Sequence, residues 1–170
     1  WFWIVGSSGL ITLVIGAYFA MFQQDLKGVL AYSTISHLGL ITLLLGMGSP
    51  LACVAAIFHI VNHATFKASL FMAAGAIDHE TGTRDLRRLG GLARFMPVTT
   101  VLAVIACGAM AGVPLLNGFL SKEMFFEETL ALRWGTTFDL LPTIAAIAAS
   151  AFGVTYSLRL VMGTFFGPVS

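Results

Sequence analysis

Five long apolar segments, separated by short polar stretches, follow one another along the chain. They cover residues 1–22, 26–47, 51–77, 95–132 and 140–166. Each is long enough to reach the roughly 20 residues that a helix needs to cross a ~30 Å hydrocarbon layer. Because only helices and closed barrels satisfy their own backbone hydrogen bonds in lipid, we expect an all-α, polytopic bundle of about five transmembrane helices.

The fourth segment is too long for one straight crossing, since 95–132 would extend about 57 Å at 1.5 Å per residue. A cluster of helix-breaking residues interrupts it: Gly112, Pro114, Asn117 and Gly118. We therefore expect one broken helix, interrupted near 112–118. Irregular backbone at membrane depth is tolerated where it is buried in protein or lines a water-filled cavity, which is typical of transporters. Two ordinary spans joined by a hairpin at 113–117 are the alternative.

Composition agrees with a membrane protein. Of 170 residues, 58% are hydrophobic and 10% are charged, whereas soluble domains carry about 25% charged residues. The mean hydropathy is +0.91. A net charge of +1 excludes a strongly basic nucleic-acid surface. The chain begins at Trp1 without a charged leader, so we expect an internal fragment of a longer protein. Cys53 and Cys107 lie in apolar runs and are expected to be packing residues.

The loop at 78–94 holds most of the positive charge and sets the expected orientation. It carries Arg84, Arg87, Arg88 and Arg94, and it shares its side with Lys27, whereas the connection at 48–50 is uncharged and Arg133 stands alone. The positive-inside rule then places the loop in the cytoplasm. The three tryptophans would lie at the outer interface: Trp1, Trp3 and Trp134. Within the loop, 85–92 predicts a short amphipathic surface helix, and His79 should be solvated.

Three ionisable residues recur at every fourth position of the third segment: His59, His63 and Lys67. They share one helix face over about 12 Å of its axis. A charge near the middle of a span costs about 2.5–3.5 kcal/mol on insertion scales, so such residues need a function to justify them. Histidine titrates near neutral pH, and burial disfavours the charged form of an amine. The stripe therefore predicts a proton relay.

Structural alternatives exist for each member of the stripe. Lys67 could form a fixed ion pair, and each histidine could simply hydrogen-bond a neighbouring helix. Two histidines four residues apart could also bind zinc. However, Ile60 stands where the HExxH motif has its glutamate, and no third ligand is placed to join. We therefore expect no metal site, and no cofactor motif is present.

Other candidate positions flank this stripe. Lys122 and Glu123 follow the predicted break, where Lys122 is either a second proton-binding amine or a residue that snorkels to the outer interface. His37 in the second segment could extend a hydrogen-bonded path with Ser33 and Ser36, or could pack. At the start of that segment, Lys27 either joins the path or anchors the interface. Arg159 does not deprotonate, which favours a fixed countercharge or a snorkelling role.

The deep positions lack carboxylates. A hard cation such as Na⁺ prefers several oxygen ligands, whereas the deep positions offer mainly amines, imidazoles, hydroxyls and the amides of Asn62 and Asn117. This composition favours a proton path. Any sodium site should lie elsewhere.

Three stretches resemble the antiporter-like membrane subunits shared by respiratory complex I, membrane-bound hydrogenases and Mrp-type Na⁺/H⁺ antiporters: QQDLKGVLAYSTISHLG, AAIFHIVNHATFKASLFMAAG and GVPLLNGFLSKE. The loop IDHETGTRDLRRLGGL is most similar to the large A subunits of Mrp antiporters. The resemblance implies an inverted repeat of five helices with the fourth broken. It also implies that Lys67, His59 and His63 lie on a central hydrophilic axis, that Lys122 is the broken-helix lysine, and that Lys27 belongs to a DxK turn of the family.

We therefore expect a proton-translocating subunit of a multisubunit Na⁺/H⁺ antiporter, multi-pass in a bacterial cell membrane and without enzymatic activity of its own. Its partners would be other membrane subunits, protons, Na⁺ and lipid, and no nucleic acid. A pump subunit of complex I or of a membrane-bound hydrogenase is the alternative. A structural subunit whose buried charges merely pair is a third interpretation.

The charge count predicts the orientation of the 78–94 loop. A cysteine introduced at Thr83 should not react with a membrane-impermeant maleimide added outside intact cells, because the loop faces the cytoplasm. Ready labelling from outside would overturn this topology.

Overall fold

The computed structural model describes residues 2–131 and 140–167, and in these ranges the chain is a bundle of α-helices. The helices are α1 Phe2–Phe22, α2 Leu26–Met47, α3 Pro50–Thr81, α4 Pro97–Ala111, α5 Asn117–Ala131 and α6 Leu141–Val161. A 3₁₀ turn, Leu92–Arg94, precedes α4, and a π-helical turn, Met162–Phe166, continues α6. Four of the helices, α1, α2, α3 and α6, are long and apolar enough to cross a membrane. The expected all-α polytopic bundle is confirmed.

Tight, capped turns join the first three helices. Asp25 accepts a hydrogen bond from the Gly28 amide (2.8 Å) at the start of α2, and Ser49 accepts one from the Ala52 amide (2.9 Å) at the start of α3. Pro50 occupies the first turn of α3, where its missing N–H costs nothing. Successive helices therefore run antiparallel. Trp1, Arg133 and Trp134, which we expected near one end, lie outside the described residues.

Helices α1 and α2 approach each other through glycines. A Cβ atom added at Gly9, Gly16, Gly39 or Gly46 would collide with the backbone of the facing helix. Small residues permit such backbone contact, which drives association in lipid, where apolar side chains gain little by leaving the solvent. This contact fixes the register of α2, the helix that carries His37.

Helices α4 and α5 lie one after the other along α3. Close to the loop at 82–96, Ala103 of α4 lines a cavity with Ala73 and Ile77. Farther along α3, Asn62 bonds Asn117 and His59 bonds Ser121, and at the far end the Ser49 hydroxyl donates to Glu128 Oε2 (2.6 Å). Residue numbers on α3 therefore decrease along these contacts while those on α4 and α5 increase. The two pieces thus form a single interrupted crossing, antiparallel to α3, and not a hairpin of two spans.

The connections divide between two ends of the bundle. The turn at 23–25 and the loop at 82–96 meet at one end, which we call the charged-loop end, where the Leu26 amide donates to Arg84 O and the Leu86 amide to Gln24 O, both at 2.8 Å. The turn at 48–49 and the start of α6 lie at the opposite end. The charged-loop end carries all four loop arginines, Arg84, Arg87, Arg88 and Arg94. The positive-inside rule relies on such a concentration of positive charge at one end of the bundle.

Three details of the sequence interpretation are wrong. The third helix continues to Thr81, so Asp78 lies on α3 and not in the loop. The stretch 85–92 forms no α-helix: Asp85 pairs with Asp25 as an isolated β-bridge, and the backbone turns left-handed at Gly91, with φ 66°. Cys107 is buried as expected, but Cys53 is exposed on the surface of α3.

The loop is held by its own ion pair. Arg87 donates from Nε and Nη2 to the carboxylate of Asp85, at 3.0 and 2.7 Å. Hydrogen bonds from the Arg87 side chain, and then from its amide, lower the pKa of Asp85 to about 2. Asp85 is therefore ionised throughout the physiological range. His79 is exposed, as expected, beside Glu80.

Cross-linking tests the single-crossing geometry of α4 and α5. In a chain lacking Cys53 and Cys107, cysteines at Ser49 and Glu128 should be joined by a short thiol-specific cross-linker, because these side chains touch. The matched pair, cysteines at Thr81 and Glu128, should not react, since Thr81 lies at the charged-loop end. Cross-linking of the second pair and not of the first would show a hairpin instead.

Candidate functional site: a buried line of amines and imidazoles

The buried lysines and histidines of the bundle lie together at the seam between α2, α3 and α5. Five candidates meet there: His37, His59, His63, Lys67 and Lys122. Each is at most 9% exposed except His63, which is half-buried. The five lie on three helices, so only the tertiary fold brings them together.

Lys67 is 5% exposed and has neutral partners. Its Nζ donates to the carbonyl of Leu30 (3.2 Å) and to the hydroxyl of Ser33 on α2. No carboxylate of the described residues forms an ion pair with it. A fixed ion pair, the structural alternative for this lysine, is therefore not what the described part of the chain shows.

The three histidines stack against one another. His37 Nδ1 lies 3.0 Å from His59 Nε2. The ring centre of His63 is 5.3 Å from that of His37 and 6.4 Å from that of His59. His63 Nε2 is enclosed and has no hydrogen-bond partner among the described residues. The histidine stripe predicted on α3 thus extends onto α2, through a residue whose role the sequence left open.

Hydrogen bonding assigns a direction to this cluster. The Ser121 hydroxyl donates to Gly118 O (3.1 Å), so it accepts from His59 Nδ1, which lies 3.0 Å away. His59 Nε2 then accepts a hydrogen bond from the N–H at His37 Nδ1. In this arrangement each N–H of the row points towards α5. Reversing the direction of every hydrogen bond in the row would move a proton along it.

Lys122 occupies the break between α4 and α5. Its Nζ donates to Ala111 O (2.9 Å), the carbonyl at the end of α4. The last carbonyls of a helix lack intrahelical partners and carry the negative end of the helix dipole, so a cation is favoured there. Gly112 allows the turn with φ 86° and packs against the Lys122 side chain. Lys122 therefore does not snorkel to the surface.

An amide pair holds the far side of the break. Asn117 Nδ2 donates to Asn62 Oδ1 (2.9 Å), and Asn62 Nδ2 donates to Asn117 O (3.3 Å). These two bonds fix the first turn of α5 on α3. They place Ser121, one turn later, against His59.

Lys122 also borders an open crevice of about 360 Å³. Glu123 and Glu127 line this crevice and are exposed. Glu123, a predicted site residue, therefore lies at the surface beside Lys122 and not in the buried line.

Lys27 lies apart from the line, at the charged-loop end. Its Nζ pairs with Asp78 Oδ2 at 2.8 Å, and Arg84 lies 3.7 Å from both Asp78 and Asp25. These groups are partly exposed, so solvent screens the pairs and each contributes little to stability. An apolar layer separates them from Lys67: Leu26, Leu30, Leu70, Ala74 and Ile77. A transport role for Lys27 stays a prediction.

Arg159 is a fixed cation, as expected from its chemistry. One guanidinium nitrogen donates to Met21 O at the end of α1, and another donates to Gln24 Oε1 (2.5 Å). It caps the Met21 carbonyl in the last turn of α1 and contacts the turn at 23–25 at the charged-loop end. Within the described residues, no group of three or more His, Cys, Asp or Glu side chains is placed to hold a metal ion.

The sequence interpretation missed several partners of the predicted site residues. Asp78, the ion-pair partner of Lys27, was expected in the loop because the third helix was predicted to end at residue 77, and it actually reaches Thr81. The contact of Ser121 with His59, and the pairing of Asn62 with Asn117, depend on how α3 and α5 are aligned. No local pattern reveals that alignment.

Two glycines with similar backbones test the importance of the Lys122 position. Gly112 and Gly82 have φ of 86° and 68°, so Ala at either position should cost about 1–2 kcal/mol of stability. Only Gly112→Ala also pushes on Lys122, since nothing lies within 4 Å of an added Cβ at Gly82. Losing the Lys122–Ala111 bond should slow ion exchange about tenfold. Equal exchange in the two assembled variants would show that this position is unimportant.

Comparisons with known proteins show the family of this chain. The family model "NADH:quinone oxidoreductase/Mrp antiporter, TM" matches residues 1–148. The chain is 70% identical over 167 residues to the A/B subunit of a probable K⁺/H⁺ antiporter from Rhizobium meliloti, covering 98% of this chain and 17% of that protein. It is 47% identical to the A subunit of the Na⁺/H⁺ antiporter from Bacillus subtilis, covering 98% of this chain and 23% of that protein.

A solved structure shows the same fold. The structure of the Mrp complex from Dietzia sp. DQ12-45-1b contains a chain with a TM-score of 0.89 and 44% identity, over 95% of this chain and 18% of that one. The chain thus spans about a fifth of the length of the relatives it matches. Since the family model covers residues 1–148, this multi-pass membrane chain belongs to the NADH:quinone oxidoreductase/Mrp antiporter family.

Proposed function

We propose that the chain forms the proton-conducting part of one subunit in a monovalent cation/proton antiporter, a secondary transporter and not an enzyme. The observation that carries this proposal is the pairing of both buried lysines with neutral oxygens: Lys67 with Leu30 O and Ser33, and Lys122 with Ala111 O. A carboxylate would hold the ammonium proton by its full charge, whereas a carbonyl or hydroxyl holds it less strongly. Amines in this setting are suited to release and rebind protons.

The route runs across the bundle along the seam of α2, α3 and α5. Lys67 and His63 are one helical turn apart, about 6 Å along the axis. His63 stacks on His37, which bonds His59, and Lys122 lies beyond them at the break. The route borders its surroundings at the crevice beside Lys122, and His63, one turn from Lys67, is only half-buried.

The coupled cation would bind outside this line. The line contains no carboxylate, and Na⁺ or K⁺ prefers several oxygen ligands. The sequence argument favoured Na⁺, as in the name of the Bacillus subtilis relative. K⁺ is the second candidate because the relative with 70% identity is named as part of a K⁺/H⁺ antiporter. Exchange driven by Na⁺ and by K⁺ in the same vesicles distinguishes the two.

The assembly would be a multisubunit complex in a bacterial plasma membrane, with the charged-loop end in the cytoplasm. Support comes from the similar chain in a solved Mrp complex and from the grouping of the loop arginines. A pump subunit of a redox complex is the other function that the family includes. Purification of the complex separates the two, since a redox assembly would carry flavin and iron–sulfur peptides and an antiporter would contain only membrane subunits.

Substituting Lys67 tests the proton-carrier role. Arg keeps the positive charge but does not deprotonate, so Lys67→Arg should abolish exchange nearly as completely as Lys67→Ala. ΔpH-driven exchange in vesicles measures the rate, and the amount of assembled complex separates loss of transport from loss of folding. Arg94→Lys, the reverse exchange on the exposed loop, is the matched control and should transport normally.

A structural countercharge at position 67 predicts a different outcome. Arg would still donate to Leu30 O and Ser33, and only Ala would remove both the donor and the positive charge. An assembled Lys67→Arg complex that keeps most of its exchange activity would therefore contradict the carrier role.

A further inference from the structure

We propose that one water molecule, held between α2, α5 and α6, passes the proton between His37 and Lys122, and that Tyr156 and Gly153 of α6 form its binding site. This inference rests on the proposed proton route. It adds residues of α6, a helix that the sequence argument gave no part in proton transfer.

The hydrogen-bonded row has a gap at this point. Among the described residues, no hydrogen bond joins a histidine to Lys122. His59 reaches Ser121, whose hydroxyl proton is directed to Gly118 O. Ser121 and Lys122 are neighbours on a helix, so their side chains leave the axis about 100° apart. The row therefore does not continue to Lys122 through Ser121.

A small cavity lies between His37 and Lys122, next to α6. It measures about 20 Å³ and is lined by His37, Lys122, Tyr156, Ser150 and Gly153, among others. A buried water needs roughly 10–15 Å³ and two to four polar partners. This cavity meets both conditions, and it borders both His37 and Lys122.

Tyr156 supplies a polar group that needs such a partner. The residue is 3% exposed, and its hydroxyl makes no hydrogen bond with a described residue. Buried tyrosine hydroxyls usually find a partner. A water in the adjoining cavity satisfies this hydroxyl and orients the proton transfer.

Gly153 keeps the site open. A Cβ atom at this position would lie 3.6 Å from the Tyr156 hydroxyl oxygen and 3.9 Å from Lys122 Nζ. Both polar atoms thus face the same bare stretch of α6 backbone. At these distances a methyl group makes ordinary contacts, so Gly153→Ala should fold normally, yet the methyl takes the room that a water needs.

Filling the cavity is the test, carried out in the full-length protein within its membrane complex. Gly153→Ala should slow ΔpH-driven exchange about tenfold or more, because a positioned proton-transfer partner is lost. Tyr156→Phe should slow it as well, without changing the shape of the site. Both variants should show a larger slowing in D₂O than the parent, since proton transfer then limits the rate. Gly75→Ala, a helix glycine with nothing within 4 Å of an added Cβ, is the matched control.

The outcomes separate this inference from the proposed function. If Lys67→Arg is inactive while either assembled variant, Gly153→Ala or Tyr156→Phe, transports at the parental rate and with the parental D₂O effect, the water site is wrong and the proton route stands. If Lys67→Arg transports, the route itself fails and the water site fails with it. Slow exchange and a raised D₂O effect in both variants, with a normal Gly75→Ala, supports the bridge.

Discussion

The structure depends on how the membrane interior accommodates amines that have no carboxylate partner among the described residues. A charge there needs compensating hydrogen bonds, and the backbone carbonyls of a regular helix are already engaged. The Leu30 carbonyl accepts hydrogen bonds from Lys67 Nζ and also from the hydroxyls of Ser33 and Thr34. Lys122 finds a free carbonyl, Ala111 O, only because α4 stops at that residue. The interruption of the fourth crossing is thus what allows a lysine to be buried there.

The rest of the fold positions these groups. The glycine contact between α1 and α2 sets the register that brings His37 to within 3.0 Å of His59. The long helix α3 carries the stripe of His59, His63 and Lys67 and serves as the surface on which both pieces of the fourth crossing lie. The Asn62–Asn117 bonds fix the piece after the break. Two of the predicted site residues lie outside the buried line: Lys27 at the charged-loop end and Glu123 at the surface beside Lys122.

Periodicity and helix-breaking residues made much of this arrangement predictable from the sequence. The spacing of four between His59, His63 and Lys67 predicts a shared face wherever α3 packs, and the Gly–Pro cluster predicts an interruption whatever surrounds it. The stretch 85–92 was misjudged because its backbone groups are used by the turn at 23–25, a contact between distant parts of the chain. The pairing of His37 with His59, and the position of Tyr156 beside Lys122, depend on packing between helices that one sequence does not encode locally.

The central claim is that Lys67 and Lys122 act in series on one proton route. Lys122→Arg tests it most directly, because Arg can still donate to Ala111 O while it cannot release its proton. In assembled complexes in vesicles, the account predicts that this single substitution at the far end of the line abolishes ΔpH-driven exchange as fully as Lys67→Arg does. An assembled Lys122→Arg complex that retains half or more of the parental rate would contradict a single route through both lysines.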